Sequence, residues 1–153
     1  MQGKTHAMIG AVSGAMVMMH TNDIIAVCVG GAMGYIGGIL PDIDHHRSMI
    51  SQRLGLLALP FRIIPHRTLT HALWIPLIIG GIFYFYPYPV ILALGAGWVS
   101  HIILDMMTYR GIMPLYPLRW RIRGIFRTGG LIDNTLYLGG IVGGIVLLWG
   151  IIG

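Results

Sequence analysis

Long apolar segments separated by short polar connections make up most of this chain of 153 residues. A helix needs about 20 apolar residues to cross the hydrocarbon core of a bilayer, and five segments approach that length. They lie at about residues 6–22, 23–40, 68–86, 89–107 and 131–152. The pattern predicts an all-α, polytopic membrane bundle of about five transmembrane helices, which forms a single integral membrane domain over residues 1–153.

A further apolar stretch, residues 51–64, is too short to cross the membrane twice and contains Arg53 and Arg62. Amphipathic segments of this kind lie in the water–lipid interface. We therefore expect a short interfacial helix, broken near Pro60, between the second and third spans.

Glycines recur at helical spacing in the second and last spans. They are Gly30, Gly34, Gly38, Gly139, Gly140, Gly143 and Gly144. Small residues let helices approach closely in membranes. The glycines therefore predict tight packing, either within the chain or between copies in a homo-oligomer formed through the Gly-rich helices.

Charged residues are few and unevenly distributed. Apolar residues make up 56% of the chain and charged residues 10%, which leaves too little polar surface to cover a soluble domain. With five spans, all ten Lys and Arg residues fall on one side of the bilayer, and the opposite connections, 19–23 and 86–89, carry none. Lys and Arg mark the cytoplasmic side, so the N-terminus is predicted to be cytoplasmic. The net charge of +5 follows from this orientation, and no nucleic-acid partner is expected.

His101 and Asp105 lie four residues apart near the end of the fourth span. This spacing places an imidazole and a carboxylate on one face of a helix, one turn apart. Both can then bind one metal ion, or the carboxylate can orient the imidazole. Ionisable groups inside an apolar span are costly unless they are paired, hydrated or metal-bound, so we expect these two to be functional.

Three further clusters fall on the same side of the membrane. His66 is expected in a loop and His71 in the first turn of the third span, where both can point at one centre. Asp42 and Asp44 follow the second span two residues apart, and on extended backbone they project the same way. His6 adds an imidazole at the start of the first span.

Seven residues are therefore candidate metal ligands: His6, Asp42, Asp44, His66, His71, His101 and Asp105. A zinc ion with an open catalytic position needs about three protein ligands, so seven suffice for two ions. Imidazole and carboxylate ligands without thiolate suit zinc, which we favour, and also manganese or iron. The chain contains no Glu, so a carboxylate base has to be an Asp, and we assign catalytic roles to Asp44 and Asp105. His45 and His46 are either additional ligands or interfacial side chains.

The motifs together resemble one known family. They are Thr5-His6 with Gly10, Pro41-Asp42-Ile43-Asp44, His66-Arg67-Thr68-Leu69-Thr70-His71 and His101-Ile102-Ile103-Leu104-Asp105. In this order and approximate spacing they look like the YdjM family of small bacterial inner-membrane proteins, described as membrane-bound metal-dependent hydrolases. The resemblance implies metal binding by the seven residues and a location in the bacterial inner membrane. Ala72 departs from the pattern, because family members often have Ser there. A weaker likeness is to the zinc-dependent phospholipase C group.

The sequence thus predicts a membrane-embedded, metal-dependent hydrolase whose active site faces the cytoplasm. A metal-activated water would attack a phosphoester or phospholipid-like substrate, which is a membrane lipid or a lipid-linked molecule. Arg67, between two candidate ligands, is expected to hold phosphate bidentately. The alternatives are a metal-ion transporter, although transport sites usually lie near the bilayer midplane, and a membrane protein with a purely structural metal site.

Overall fold

The computed structural model describes residues 1–152, and its regular structure is helical, as predicted. The six α-helices are α1 Gly3–Met18, α2 Ile24–Ile39, α3 Met49–Leu54, α4 Trp74–Phe85, α5 Pro89–Met106 and α6 Leu131–Ile152. Short 3₁₀ segments cover Met19–Thr21, Leu40–Asp44, Gly55–Ile63 and Leu69–His71. Residues 1–152 form no β-strand, only isolated bridges from Thr108 to Phe126 and from Ile112 to Ile122.

Three helical stretches are long and apolar enough to cross a membrane: Ile24–Asp44, Pro89–Met106 and Leu131–Ile152. Helices α1 and α4 have 16 and 12 residues, so two of the five predicted spans are shorter than the apolar pattern indicated. At about 1.5 Å per residue, a 12-residue helix is roughly 18 Å long. The predicted third span loses its first residues because Leu69–His71 forms a 3₁₀ turn and Ala72 is extended.

Helices α1, α2 and α5 pack through glycines at which their backbones touch. A Cβ atom on Gly34 of α2 would overlap the carbonyl oxygen of Gly10 and the Cα of Gly14 in α1. A Cβ atom on Gly97 of α5 would overlap the carbonyl oxygen of Gly34. Residues without side chains allow this close approach. It sets the start of α1 beside the ends of α2 and α5, where the candidate ligands lie.

Helix α6 packs along α1 and begins beside the start of that helix. The buried Asp133 carboxylate accepts hydrogen bonds from the Thr5 hydroxyl at 2.6 Å, the Gln2 N–H at 3.0 Å and the Gly129 N–H at 2.7 Å. These bonds satisfy N–H groups that helix starts leave without partners. Most of the remaining surface of α6 is exposed.

The segment between α2 and α4 exposes apolar side chains. Leu56, Leu57 and Ile63 are 81%, 74% and 85% exposed, whereas Arg62 turns inward and donates to the hydroxyl and the carbonyl of Ser51, each at 3.0 Å. Such exposure is typical of a segment that lies against lipid. The predicted interfacial helix therefore takes the form of the short α3 followed by a 3₁₀ turn.

The polar stretch between α5 and α6 covers the loop that precedes α4. The Leu73 N–H donates to the Pro114 carbonyl at 2.9 Å, and the Met113 N–H donates to the Arg67 carbonyl at 3.4 Å. These contacts place the turn after α5 next to the loop that carries His66.

Candidate metal centre

Six of the seven predicted ligands meet in two groups at one end of the bundle. The first group is His6, His101 and Asp105, and the second is Asp42, His66 and His71. Within each group, one donor atom per residue lies within 4.8 Å of the others. The donors come from α1, from α5, from the 3₁₀ segment after α2 and from the loop before α4. Four separate sequence clusters thus lie together in space.

The first group is fully buried. His6, His101 and Asp105 are each at most 1% exposed. The two imidazole rings stack with centroids 3.7 Å apart, and His6 Nε2 lies 3.2 Å from Asp105 Oδ1. The Met1 ammonium lies 2.5 Å from the same oxygen. Burying a carboxylate among imidazoles is costly unless the groups are paired or bind an ion.

The second group adjoins the first through His71 and His101. Their Nε2 atoms are 3.2 Å apart, and Asp42 Oδ1 lies 3.6 Å from the first nitrogen and 3.7 Å from the second. Asp105 Oδ2 lies 3.8 Å from His71 Nε2. Two nitrogens and two oxygens therefore face one another, and the two groups form one centre.

Hydrogen-bond partners decide which ring nitrogen of each histidine is free to bind a metal. His101 Nδ1 lies 2.6 Å from the Gly38 carbonyl oxygen, and His66 Nδ1 lies 2.7 Å from Asp44 Oδ1. Carbonyl and carboxylate oxygens only accept, so each Nδ1 carries the hydrogen and donates it. The lone pair on Nε2 then stays free, as in metal-binding histidines whose other nitrogen is held by an acceptor.

The Thr70 hydroxyl fixes the hydrogen of His71 on Nδ1, as the oxygen acceptors do for His101 and His66. This hydroxyl lies 2.6 Å from Asp44 Oδ2 and 2.9 Å from His71 Nδ1. The hydroxyl has one hydrogen, which it donates to the carboxylate, so it accepts from the Nδ1–H of His71. In the neutral ring, Nε2 of His71 then keeps its lone pair. The sequence pattern assigned no site role to Thr70, and its signal there is its place in the motif from His66 to His71, next to a candidate ligand.

Asp44 lies outside both ligand groups. One of its oxygens accepts from His66 and the other from Thr70, and the side chain is buried. The geometry thus places Asp44 behind the histidines, where a carboxylate fixes the orientation of metal-binding imidazoles. The sequence predicts Asp44 as a ligand and catalytic residue, and that role stays a prediction.

Arg67 is buried and contacts Asp105. Its Nη2 lies 2.8 Å from Asp105 Oδ2, and its Nη1 donates to the Thr108 hydroxyl at 3.3 Å and the Gly111 carbonyl at 3.2 Å. Arg67 has a φ of 67°, a strained conformation that surrounding contacts must maintain. Two of its three guanidinium nitrogens are thus engaged within the protein, and the phosphate contact expected of Arg67 stays a prediction.

Several buried polar atoms of the centre have no hydrogen-bond partner within residues 1–152. They are both ring nitrogens of His6, Asp105 Oδ2 and Arg67 Nε. The oxygen is within ion-pair range of Arg67, but no donor hydrogen is aligned with it. Such atoms are rare because each costs about 1–3 kcal/mol. A set of nitrogen and oxygen donors that leaves inner atoms unpaired fits a divalent ion such as zinc.

A cavity of about 240 Å³ opens beside the centre. Its polar lining includes Asp42, His45, His66, Arg47, Arg67 and Arg110. The Asp42 side chain is 20% exposed, which makes it the accessible carboxylate of the centre. Partial burial, with a smaller effect of the neighbouring His66, lowers the pKa of His45. That imidazole is therefore neutral at pH 7, and the positively charged groups of the lining residues are the arginines and the Met1 ammonium.

Comparison with known proteins identifies relatives of this chain. It is 38% identical over 93 residues to Inner membrane protein YdjM of Escherichia coli (strain K12) and to the protein of the same name from Shigella flexneri. These matches cover 56% of this chain and 47% of each relative. The match therefore spans about half the length of those two proteins.

A third relative and a family match cover more of the chain. Uncharacterized protein YvsG of Bacillus subtilis (strain 168) is 33% identical over 146 residues, which are 92% of this chain and 89% of that protein. No solved structure matches the chain. Residues 1–152 match the family described as YdjM inner membrane protein. The chain therefore belongs to the YdjM family, as its motifs indicated.

Proposed function

We propose that this protein is a membrane-embedded, metal-dependent hydrolase that acts on a phosphoester or phospholipid-like substrate. The observation that supports this most strongly is the approach of His71 Nε2 to within 3.2 Å of His101 Nε2. When both rings are neutral and carry their hydrogens on Nδ1, the two facing Nε2 atoms are both acceptors. Two lone pairs at this distance repel each other unless a cation lies near both. Carboxylate oxygens of Asp42 and Asp105 within 3.6–3.8 Å favour a divalent ion in that role.

The six residues of the two groups would hold one or two divalent ions, with zinc as the first candidate and manganese or iron as alternatives. Such an ion supplies Lewis acidity and lowers the pKa of water toward neutrality. The chain's own residues prepare the centre for it. Asp44 orients His66 directly and His71 through Thr70, and Arg67 fixes Asp105. Asp42, at the wall of the cavity, is the carboxylate placed to accept a proton from water.

We also propose that the site faces the cytoplasm from the inner membrane and that the chain crosses the membrane five times. Helix α1 continues into the 3₁₀ turn Met19–Thr21, and the short α4 is apolar throughout. With five crossings, all ten Lys and Arg residues lie on the side of the metal centre. That distribution is expected of a cytoplasmic face, and membership of a family described as inner membrane proteins supports the location.

A purely structural metal site is the second candidate, because His6, His71 and His101 are at most 1% exposed. An ion held there would join α1, α5 and the loop before α4 without any access for a substrate. The cavity that reaches Asp42 and His66 favours catalysis, since structural sites are closed and catalytic sites keep an open position.

Metal analysis of the detergent-purified protein tests this proposal. We expect about one to two transition-metal ions per wild-type chain, and a loss of metal in His71→Ala and His101→Ala because ligands are removed. The matched control is His20→Ala, which changes an exposed histidine in the 3₁₀ turn after α1 whose Nδ1 lies 3.0 Å from the Val17 carbonyl oxygen. Wild-type protein without transition metal, or equal metal content in all four proteins, would overturn the proposal. Full metal loading with no hydrolysis of phosphoesters would favour the structural site.

A further inference from the structure

Two arginines other than Arg67 face the cavity beside the metal centre. Arg47, in the loop after α2, and Arg110, in the turn after α5, contribute to its lining from separate segments of the chain. Both residues are exposed. Within residues 1–152, neither side chain forms an ion pair, whereas Arg67 is bound to Asp105. The arginines of the cavity lining that have no ion-pair partner within residues 1–152 are therefore Arg47 and Arg110.

The backbone of Arg47 is tied to the second ligand group. The Arg47 N–H donates to His45 Nδ1 at 3.3 Å, and the hydroxyl of the next residue, Ser48, donates to the Asp42 carbonyl at 2.7 Å. The same hydroxyl accepts from the Ser51 N–H at 3.2 Å and so caps α3. Arg47 thus lies in a loop that is hydrogen-bonded to the backbone of Asp42, a candidate ligand.

The backbone of Arg110 is tied to the first ligand group. The Thr108 hydroxyl donates to the Asp105 carbonyl at 2.8 Å, and Arg67 donates to the Gly111 carbonyl at 3.2 Å. Gly111 has a φ of 58°, and a Cβ atom there would overlap the Ile122 carbonyl oxygen, so this tight turn requires glycine. Arg110 therefore lies between Thr108 and Gly111. The first is hydrogen-bonded to Asp105 directly, and the second is connected to it through Arg67.

We infer that Arg47 and Arg110 form a clamp for the terminal phosphate of a phosphomonoester. A phosphomonoester carries a charge of about −1.5 to −2 at pH 7, which matches two unpaired guanidinium groups. A phosphodiester, with a single negative charge, would leave one of them uncompensated. The inference rests on the proposed function for the reaction at phosphorus, but the clamp binds its anion whether or not a reaction follows.

The competing explanation is that these arginines only mark the cytoplasmic side of the membrane. Arg119 and Arg123 lie in the same polar stretch as Arg110 and are also exposed, but they do not line the cavity. If the arginines act only as anchors, substitution of any of the four should have the same small effect on anion binding. Arg119 and Arg123 therefore serve as controls for Arg47 and Arg110.

The test is calorimetric titration of metal-loaded protein with phenylphosphonate, a dianion with no hydrolysable ester bond, at pH 8. Its monomethyl ester, a monoanion of similar shape, is the comparison. We expect the dianion to bind more tightly, and Arg47→Gln or Arg110→Gln to raise its Kd about tenfold or more, because a charge-assisted hydrogen bond is lost. Arg119→Gln and Arg123→Gln should stay within about twofold of wild type. Equal Kd values for all four variants, or no preference for the dianion, would overturn the clamp.

A second arm of the experiment separates lipid from soluble sources of the phosphate. Phosphatidic acid is a lipid that carries a phosphomonoester, the group for which the clamp is proposed. In nanodiscs it should compete with phenylphosphonate if the cavity is open to lipid. Competition only by soluble phenyl phosphate would assign a soluble substrate. If phenylphosphonate binds through both arginines but no phosphoester is hydrolysed, the clamp stands and the hydrolase proposal fails. Hydrolysis that is unchanged in Arg47→Gln and Arg110→Gln would support the hydrolase proposal and overturn the clamp.

Discussion

The hydroxyl of Thr70 lies 2.9 Å from Nδ1 of His71 and accepts the hydrogen of that nitrogen, which leaves Nε2 of the ring free toward His101. Without this contact the buried imidazole could carry its hydrogen on the wrong nitrogen. Thr70 thus links Asp44, which is outside the ligand groups, to a residue inside them.

Thr70→Val should therefore weaken metal binding while keeping the shape of the side chain. Loss of an outer hydrogen bond to a ligand typically costs about tenfold to a hundredfold in metal affinity, and competition with a chelating dye would measure it. Thr70→Ser should restore affinity, because the hydroxyl returns. Thr21→Val serves as the control, because it removes a hydroxyl that donates to the Met18 carbonyl and not to a residue of the centre. Unchanged affinity in Thr70→Val would show that Thr70 does not position His71.

Arg67→Met should destabilise the metal-free protein by about 1–3 kcal/mol, since it leaves the buried Asp105 Oδ2 without its guanidinium partner while the Met1 ammonium still contacts Oδ1. The two side chains are only 9% and 1% exposed, so solvent screens the pair little. Arg67→Lys keeps the charge but cannot contact Asp105, Thr108 and Gly111 together, and a smaller loss is expected.

Unfolding titrations in mixed micelles with a chelator present would measure these differences. Exposed Arg123→Met should lie within about 0.5 kcal/mol of wild type. If Arg67→Met were as stable as Arg123→Met, Arg67 would not be holding Asp105 in place.

Gly34→Ala should separate α1 from α2, because a Cβ atom there overlaps the backbone of Gly10 and Gly14. Overpacking of this kind costs about 1–3 kcal/mol. The displacement would also carry His6 away from His101, so metal content should fall together with the thermal unfolding temperature. Gly139→Ala, in α6, meets no atom within 4 Å and should change neither quantity. Normal metal content in Gly34→Ala would mean that the glycine contact does not position the first ligand group.

Membrane orientation can be tested by labelling single cysteines from each side of the membrane. In a background with Cys28, the native cysteine, replaced by Ala, cysteine at Arg47 or Arg121 should react only from the cytoplasm. Cysteine at Asn22 or Pro87 should react only from outside. Because α4 lies between the Arg47 and Pro87 positions, labelling of both from the same side would remove the crossing assigned to that short helix.

The sequence predicted the long helices well because their apolar composition and proline boundaries are local properties. Helix α6 covers Leu131–Ile152, the predicted segment, and α5 ends at Met106, one residue before the predicted limit. The predicted start of the third span, at residue 68, was wrong, because α4 begins at Trp74. Its boundary depends on Leu73 bonding to Pro114, a contact 41 positions away that no local pattern reveals.

The candidate ligands were also accessible from sequence, because ionisable residues at the ends of apolar segments are unusual. Their supporting contacts were not. The role of Thr70 depends on Asp44 lying on its far side, and that of Arg67 on Asp105 being within reach. Both depend on how closely the helices pack at the contact of Gly10 with Gly34; the glycine spacing predicts close packing but not which helices it joins.

The most direct test of the proposed hydrolase is phosphoester turnover by protein in nanodiscs, measured before and after removal and return of metal. With phenyl phosphate and phosphatidic acid as substrates, we predict that wild-type protein releases phosphate, that a chelator abolishes release, and that added zinc restores it. His71→Ala should remain inactive after zinc is added, whereas His20→Ala should behave as wild type. Metal-loaded wild-type protein that hydrolyses neither substrate, or hydrolysis that survives both the chelator and His71→Ala, would contradict the proposal.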